Sequence, residues 1–152
     1  MYKAVVKKKT RAVYAALSRG DYEAVLGSFA SEVLFQFLGD HPLGGRLRDR
    51  ELIRRWFQRY FGLFPDLRIE PQSIVVDGGP WDTRVATRFV ATATLPDGRP
   101  YVNNGMQFIR LRWGRVVEDF LYEDTQALTT ALAGLAAAGN TEASAAPLST
   151  EH

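Results

Sequence analysis

The apolar positions of this chain repeat every 3.6 residues in some stretches and every second residue in others, and the changeovers divide it into helices and strands. Val6, Val13, Ala16 and Leu17 share one stripe, which predicts a first helix over Lys3 to Ser18, ended by Gly20. Asp21 caps a short second helix marked by Ala24, Val25 and Phe29. Val33, Phe35 and Phe37 then alternate with Leu34, Gln36 and Leu38 as a short strand, and the glycines and proline between Gly39 and Gly45 make the next segment irregular. Asp49 caps the most regular helix, where Ile53, Trp56, Phe57, Tyr60, Phe61 and Phe64 keep the three-four spacing until Pro65 stops it.

From there the period is two. Leu67 to Asp77 reads as a strand in which Pro71 indicates an edge or a bulge. Gly78-Gly79-Pro80 turns the chain into a strand over Arg84 to Leu95, with Val85, Thr87, Phe89, Ala91 and Ala93 on one side. Pro96-Asp97-Gly98 is a turn in which Pro presets one dihedral and Gly accepts a positive one. Tyr101 to Trp113 and Arg115 to Glu123 form a hairpin about Gly114, and Asp124-Thr125 caps a last helix with Leu128, Ala131, Leu132 and Leu135 on its inner face. Helices first, then one strand, a long helix and four meandering strands predict an α+β fold: a curved antiparallel sheet with the helices over one face. Beyond Gly139 the chain is mostly Asn, Thr, Glu, Ala, Ser and Pro without periodicity. Residues 1–139 are therefore expected to be one domain and 140–152 a disordered or loosely attached tail.

Composition narrows the chemistry. A chain of 152 residues, 46% hydrophobic, buries roughly 68–70% of its unfolded surface, enough for a core with a cavity in it. It has no cysteine, which removes disulfides and thiol catalysis, and two histidines, which leave little for a transition-metal site. No apolar run has the length of a signal peptide or a membrane span, so a cytoplasmic protein is the expectation. Lys7-Lys8-Lys9 and Arg11 make the densest basic run, but acidic residues are interspersed elsewhere and the net charge is only +2. The run reads as a solvated helix face, and nucleic acid is not an expected partner.

Four segments carry a resemblance: Ala16-Leu17-Ser18-Arg19-Gly20-Asp21-Tyr22, Phe64-Pro65-Asp66-Leu67, Phe108 to Val116 across the hairpin, and Tyr122 to Leu128. Over about Lys3 to Leu135 the chain resembles the nuclear-transport-factor-2-like superfamily, and within it the SnoaL-like and ketosteroid-isomerase-like proteins. The resemblance implies a cone-shaped sheet around a deep apolar pocket roofed by helices. Asn103, Gly105, Gln107, Ile109 and Leu111 would face inward, with Val117, Asp119, Leu121 and Glu123 on the last strand; alternation alone leaves that last strand undecided. It also shows what is missing. The isomerase base, its tyrosine and its second aspartic acid align with Phe37, Val13 and Gln107. The histidine and aspartate of the polyketide cyclases align with Gln107 and Leu121. A glutamine at 107 still offers a donor where the isomerase keeps a neutral acid.

The candidate chemistry follows from the inward face. Asp119, flanked by Val117 and Leu121, would be desolvated into the range of a general base; on the outer face it would merely be solvated. Gln107 and Asn103 would hold a carbonyl oxygen, or pair with each other or the backbone. His41, beside Asp40, would carry a proton at the mouth. Trp56, Tyr60, Phe35, Phe37, Phe89 and Leu121 would line the space for a small apolar or aromatic molecule. The expected reaction is proton transfer next to a carbonyl, as in isomerisation, cyclisation or dehydration, with no cofactor or metal required. The other class is a non-catalytic carrier or assembly module. The resemblance implies a homodimer through the outer sheet face, to which Met106, Phe108, Phe120 and Tyr122 would contribute.

Overall fold

A computed structural model describes residues 1–149; residues 150–152, the end of the expected tail, lie outside the described residues. Helix α1 (Tyr2–Ser18) turns Tyr14, Ala16 and Leu17 inward, and α2 (Glu23–Gly27) buries Val25 and Leu26. Strand β1 (Phe29–Phe37) buries Phe29, Val33, Phe35 and Phe37. A three-residue strand β2 (Gly45–Leu47) follows inside the stretch expected to be irregular. In α3 (Arg50–Leu63) the Asp49 carboxylate accepts from the backbone N–H of Glu51 at 2.8 Å and of Leu52 at 3.0 Å. These are two of the donors that the first turn leaves free.

Strands β3 (Arg68–Gly79), β4 (Asp82–Thr94), β5 (Pro100–Arg112) and β6 (Arg115–Glu123) meander antiparallel as the order of elements predicts. Helix α4 (Thr125–Ala137) is capped by Asp124 and buries the predicted Leu128, Ala131, Leu132 and Leu135. Among the described residues the sheet has six strands in the order β2-β1-β6-β5-β4-β3. It differs from a purely antiparallel sheet at one seam: β1 pairs parallel with β6, with Phe35 opposite Asp119 and Phe37 opposite Leu121. Helix α3 and the intervening strands β2 to β5 give the chain the crossover that a parallel neighbour needs.

Two bulges shape the sheet. At edge strand β3 the register slips between Pro71 and Ser73, because Pro71 has no N–H to give to the ladder. Between β5 and β6 it slips again, from Arg110 opposite Glu118 to Leu111 opposite Val116. The extra residue is Val117, so Val116 and not Val117 is buried on the inner face. The core lies between the concave face and the helices, dominated by Phe29, Phe35, Phe37, Trp56, Phe57, Tyr60, Phe64 and Phe89.

The segment after Gly139 departs from the expected loose tail over its described part. A 3-10 helix spans Thr141–Ser144, Ala143 is buried, and Leu148 packs on the main core. Arg59 of α3 ties it down, donating to Glu142 Oε2 and to the carbonyls of Ala146 and Pro42. Small apolar residues that dock one at a time leave no periodic trace in sequence. Among the described residues no helix is long and apolar enough to cross a membrane.

Candidate functional site

Between α1, α3 and the concave sheet lies a pocket of about 590 Å³. Val13 and Leu17 of α1, Phe57 and Phe61 of α3 and Phe89 and Ile109 of the sheet supply its apolar walls. Its exposed lining residues, Val5, Lys9, Pro80, Trp113 and Gly114, mark the mouth. Trp113 and Gly114 form the two-residue β5–β6 turn, both with positive φ (51° and 78°), the pattern whose twist matches a hairpin. That turn leaves the indole 75% exposed on the rim, and Trp113 N–H donates to Pro80 O to join the two hairpin ends.

Gly105 sits opposite Phe89, and a Cβ there would meet Phe89 Cζ at 2.2 Å. The missing side chain lets the Phe89 ring lie down on β5 and keeps the space above it open.

Inside, the polar groups form two sets. In the first, Tyr14 donates its hydroxyl hydrogen to Gln107 Oε1 at 2.5 Å, and Gln107 Nε2 donates to Asp119 Oδ1 at 2.9 Å. Gln107 opposes Leu121 on β6, so its amide crosses diagonally to reach Asp119 two residues away. The amide has one sensible orientation: reversed, its oxygen would face the carboxylate. Asp119 is 2% exposed, and burial pushes its carboxyl up to about 7, with the Gln107 bond pulling the other way. Its Oδ2 has no protein partner among the described residues. Burial, and then the nearby Asp119 charge, raise the Tyr14 phenol well above its ordinary range, so it stays protonated and remains a donor.

In the second set Tyr60 donates to Glu123 Oε1 at 2.8 Å. Burial pushes the Glu123 carboxyl up to about 7 against that bond, and its Oε2 is buried with no partner. Phe35, Trp56, Tyr60, Phe89 and Leu121 are among the residues that line the pocket.

Three other expected residues stand elsewhere. Phe37 is packed behind the pocket against Trp56, Tyr60 and His41. Asn103 is fully engaged as a clip: its Nδ2 donates to Tyr101 Oη and Asp124 O, and its Oδ1 accepts from Asp124 N–H. It holds β5 to the start of α4 and has nothing left for a ligand. His41 is buried outside the pocket, with Nδ1 accepting from Leu43 N–H and Nε2 facing Leu38 O at 3.1 Å. Desolvation lowers its pKa, so it is a neutral loop brace whose nitrogens both serve the backbone.

Two further polar residues, Tyr14 and Glu123, border the pocket beyond the expected set. Tyr14 completes the run Thr10, Tyr14, Leu17 on the inner face of α1, a signal that the stripe through Val13 obscured. Glu123 carries the same parity as Asp119 and lies four residues on.

The family model for the SnoaL-like domain matches residues 10–119. No curated protein matches the chain. Among solved structures, PrhC from Penicillium brasilianum is similar at 18% identity over 94% of each chain, with a TM-score of 0.77, a likeness of fold. Wild-type IdmH from Streptomyces antibioticus, proposed to be a polyketide cyclase, is 31% identical over 82% of this chain and 93% of its own, with a TM-score of 0.62. A protein of Xanthomonas campestris, also proposed to be a polyketide cyclase, matches at 23% identity over 83% and 95%, with a TM-score of 0.60.

Proposed function

The chain belongs to the SnoaL-like domain family, and from that premise we propose that it binds a small, largely apolar ring compound bearing a carbonyl and moves a proton next to that carbonyl. Asp119 is the acid–base group. One observation carries the reading: a buried aspartate, raised to about 7, opens on an apolar pocket and is held by Gln107. A base of that strength is half ionised at neutral pH, where it takes up a proton and returns it with little loss either way. The expected assignment of the oxygen holder shifts. Asn103 is spent elsewhere and the Tyr14 hydrogen is spent on Gln107, so the second Nε2 hydrogen of Gln107 is the donor that borders the pocket.

Cyclisation is favoured among reactions that begin with proton removal, because IdmH, itself proposed to be a polyketide cyclase, is 31% identical. The outer sheet face, with Met106 opposite Tyr122 and Phe108 opposite Phe120, belongs to the same proposal as a homodimer contact.

Deuterium uptake from heavy water at the carbon beside the carbonyl of fused-ring ketones, followed by NMR, tests the chemistry. The wild-type protein is expected to accelerate it and Asp119→Asn to slow it by roughly 10²–10⁴-fold. Equal rates for the two proteins would remove Asp119 from the role. Ketones that bind tightly without exchanging would favour the other reading, a carrier, which needs only the apolar walls.

A further inference from the structure

Glu123 Oε2 is the one buried side-chain nitrogen or oxygen without a hydrogen-bond partner among the described residues. Leaving such an atom unpaired costs about 1–3 kcal/mol, more when it is charged, and native folds keep few of them. Nothing in the proton-transfer reading uses it. The carboxyl is not adrift: Tyr60 fixes Oε1 from α3, and the β6 backbone fixes the Cα opposite Gly105. The residue lines the same pocket as Asp119 and shares its face of β6, four residues further from the Trp113 rim. Four residues of strand separate the two carboxyl-bearing positions by about 13 Å. The wall between them is apolar, with Leu121 on β6, and Phe35 on β1 stands opposite Asp119 at its upper end.

We infer that the deep end of the pocket selects ligands carrying a hydroxyl, and that Glu123 reads it through Oε2, which accepts the hydroxyl's hydrogen bond. The inference rests on the proposed carbonyl ligand and describes its far end. That ligand is a rigid, apolar ring system with a carbonyl at the Asp119 end and a hydrogen-bond donor at the other. Its two oxygens stand on the order of 10 Å apart once each hydrogen bond takes its share of the span. It enters hydroxyl first, because β6 runs inward from the rim.

Testosterone, its deoxy analogue lacking the ring-D hydroxyl, and its methyl ether have this length and differ only at the distal group. Calorimetric titration of the wild-type protein is expected to give testosterone at least ~10-fold tighter binding than either analogue, the value of one hydrogen bond to a charged acceptor. Glu123→Gln places an N–H where Oε2 stood, so the ratio is expected to fall to about one and the methyl ether to gain. Glu123→Asp, which keeps the charge but withdraws the carboxyl by one carbon, is expected to lose the preference too. An undiminished ratio in both variants, or a wild-type protein indifferent to the hydroxyl or binding none of the three, overturns the inference. Asp119→Asn is titrated alongside. A wild-type protein that keeps the hydroxyl preference but exchanges protons no faster than Asp119→Asn sinks the acid–base reading alone. A wild-type protein that exchanges faster than Asp119→Asn but shows no hydroxyl preference sinks the Glu123 assignment alone.

Discussion

Asp119 is governed by two opposing contacts, and their balance fixes the pH at which it works. Burial raises its carboxyl and the Gln107 amide lowers it, the sum lying at about 7. A base acts when ionised, so deuterium exchange is expected to rise with pH and level off above about 7. Tyr14 reaches the aspartate only through Gln107, as a positioning residue. Tyr14→Phe frees the amide to rotate and weakens the one bond that favours the charged form. The midpoint of the pH–rate profile is then expected to move upward, a shift that loss of packing alone would not produce. A midpoint unchanged to within a few tenths of a pH unit would detach Tyr14 from the relay. The inward face of Asp119 was legible through the resemblance, which chose between the two parities that alternation left open on β6. Tyr14 was not, because neighbouring helix positions differ by about 100° and the rotation of α1 over the sheet is set by contacts far away in the chain.

Among the elements, those with their own period were readable and those defined by a partner were not. The inner faces of β4 and α4 match the expected period position by position, and α3 departs from it at half-buried Phe61 and buried Leu63. Strand β2 has three residues, too few to show a period, and the parallel seam between β1 and β6 depends on direction, to which alternation is blind. The Val117 bulge likewise required the β5 register. It reverses the inner face only at the start of β6, leaving Asp119, Leu121 and Glu123 in phase. On the outer face Met106 and Tyr122 are 47% and 41% exposed as a cross-strand apolar pair. Sedimentation is expected to give a dimer mass, and Met106→Arg with Tyr122→Arg a monomer that still exchanges protons. A wild-type monomer at micromolar concentration would refute this use of the face.

At the scale of the molecule, Asp119 and Glu123 turn the pocket into a pH-dependent load on the fold. Both carboxyls are raised to about 7, whereas in the unfolded chain they ionise near 3.9 and 4.3. Below about pH 4 both states hold the protons and the load is absent. As pH rises toward 7 the unfolded chain sheds them while the folded chain retains them, so stability falls, by up to about 1.4 kcal/mol per pH unit for each group, and is level above 7. Urea unfolding at pH 5 and pH 8 is expected to show the Asp119→Asn/Glu123→Gln protein gaining on the wild type at the higher pH by a few kcal/mol. A gap that does not change with pH would mean that neither carboxyl is raised.

The bare backbone at Gly105 sets the capacity of this chamber. A single methyl there would press the Phe89 ring off the floor toward whatever occupies the space above, and would crowd the Tyr122 carbonyl of β6. Guest size is thus governed from beneath by one absent carbon, and a descendant of this chain could be refitted for a slimmer molecule without altering any group that touches a proton.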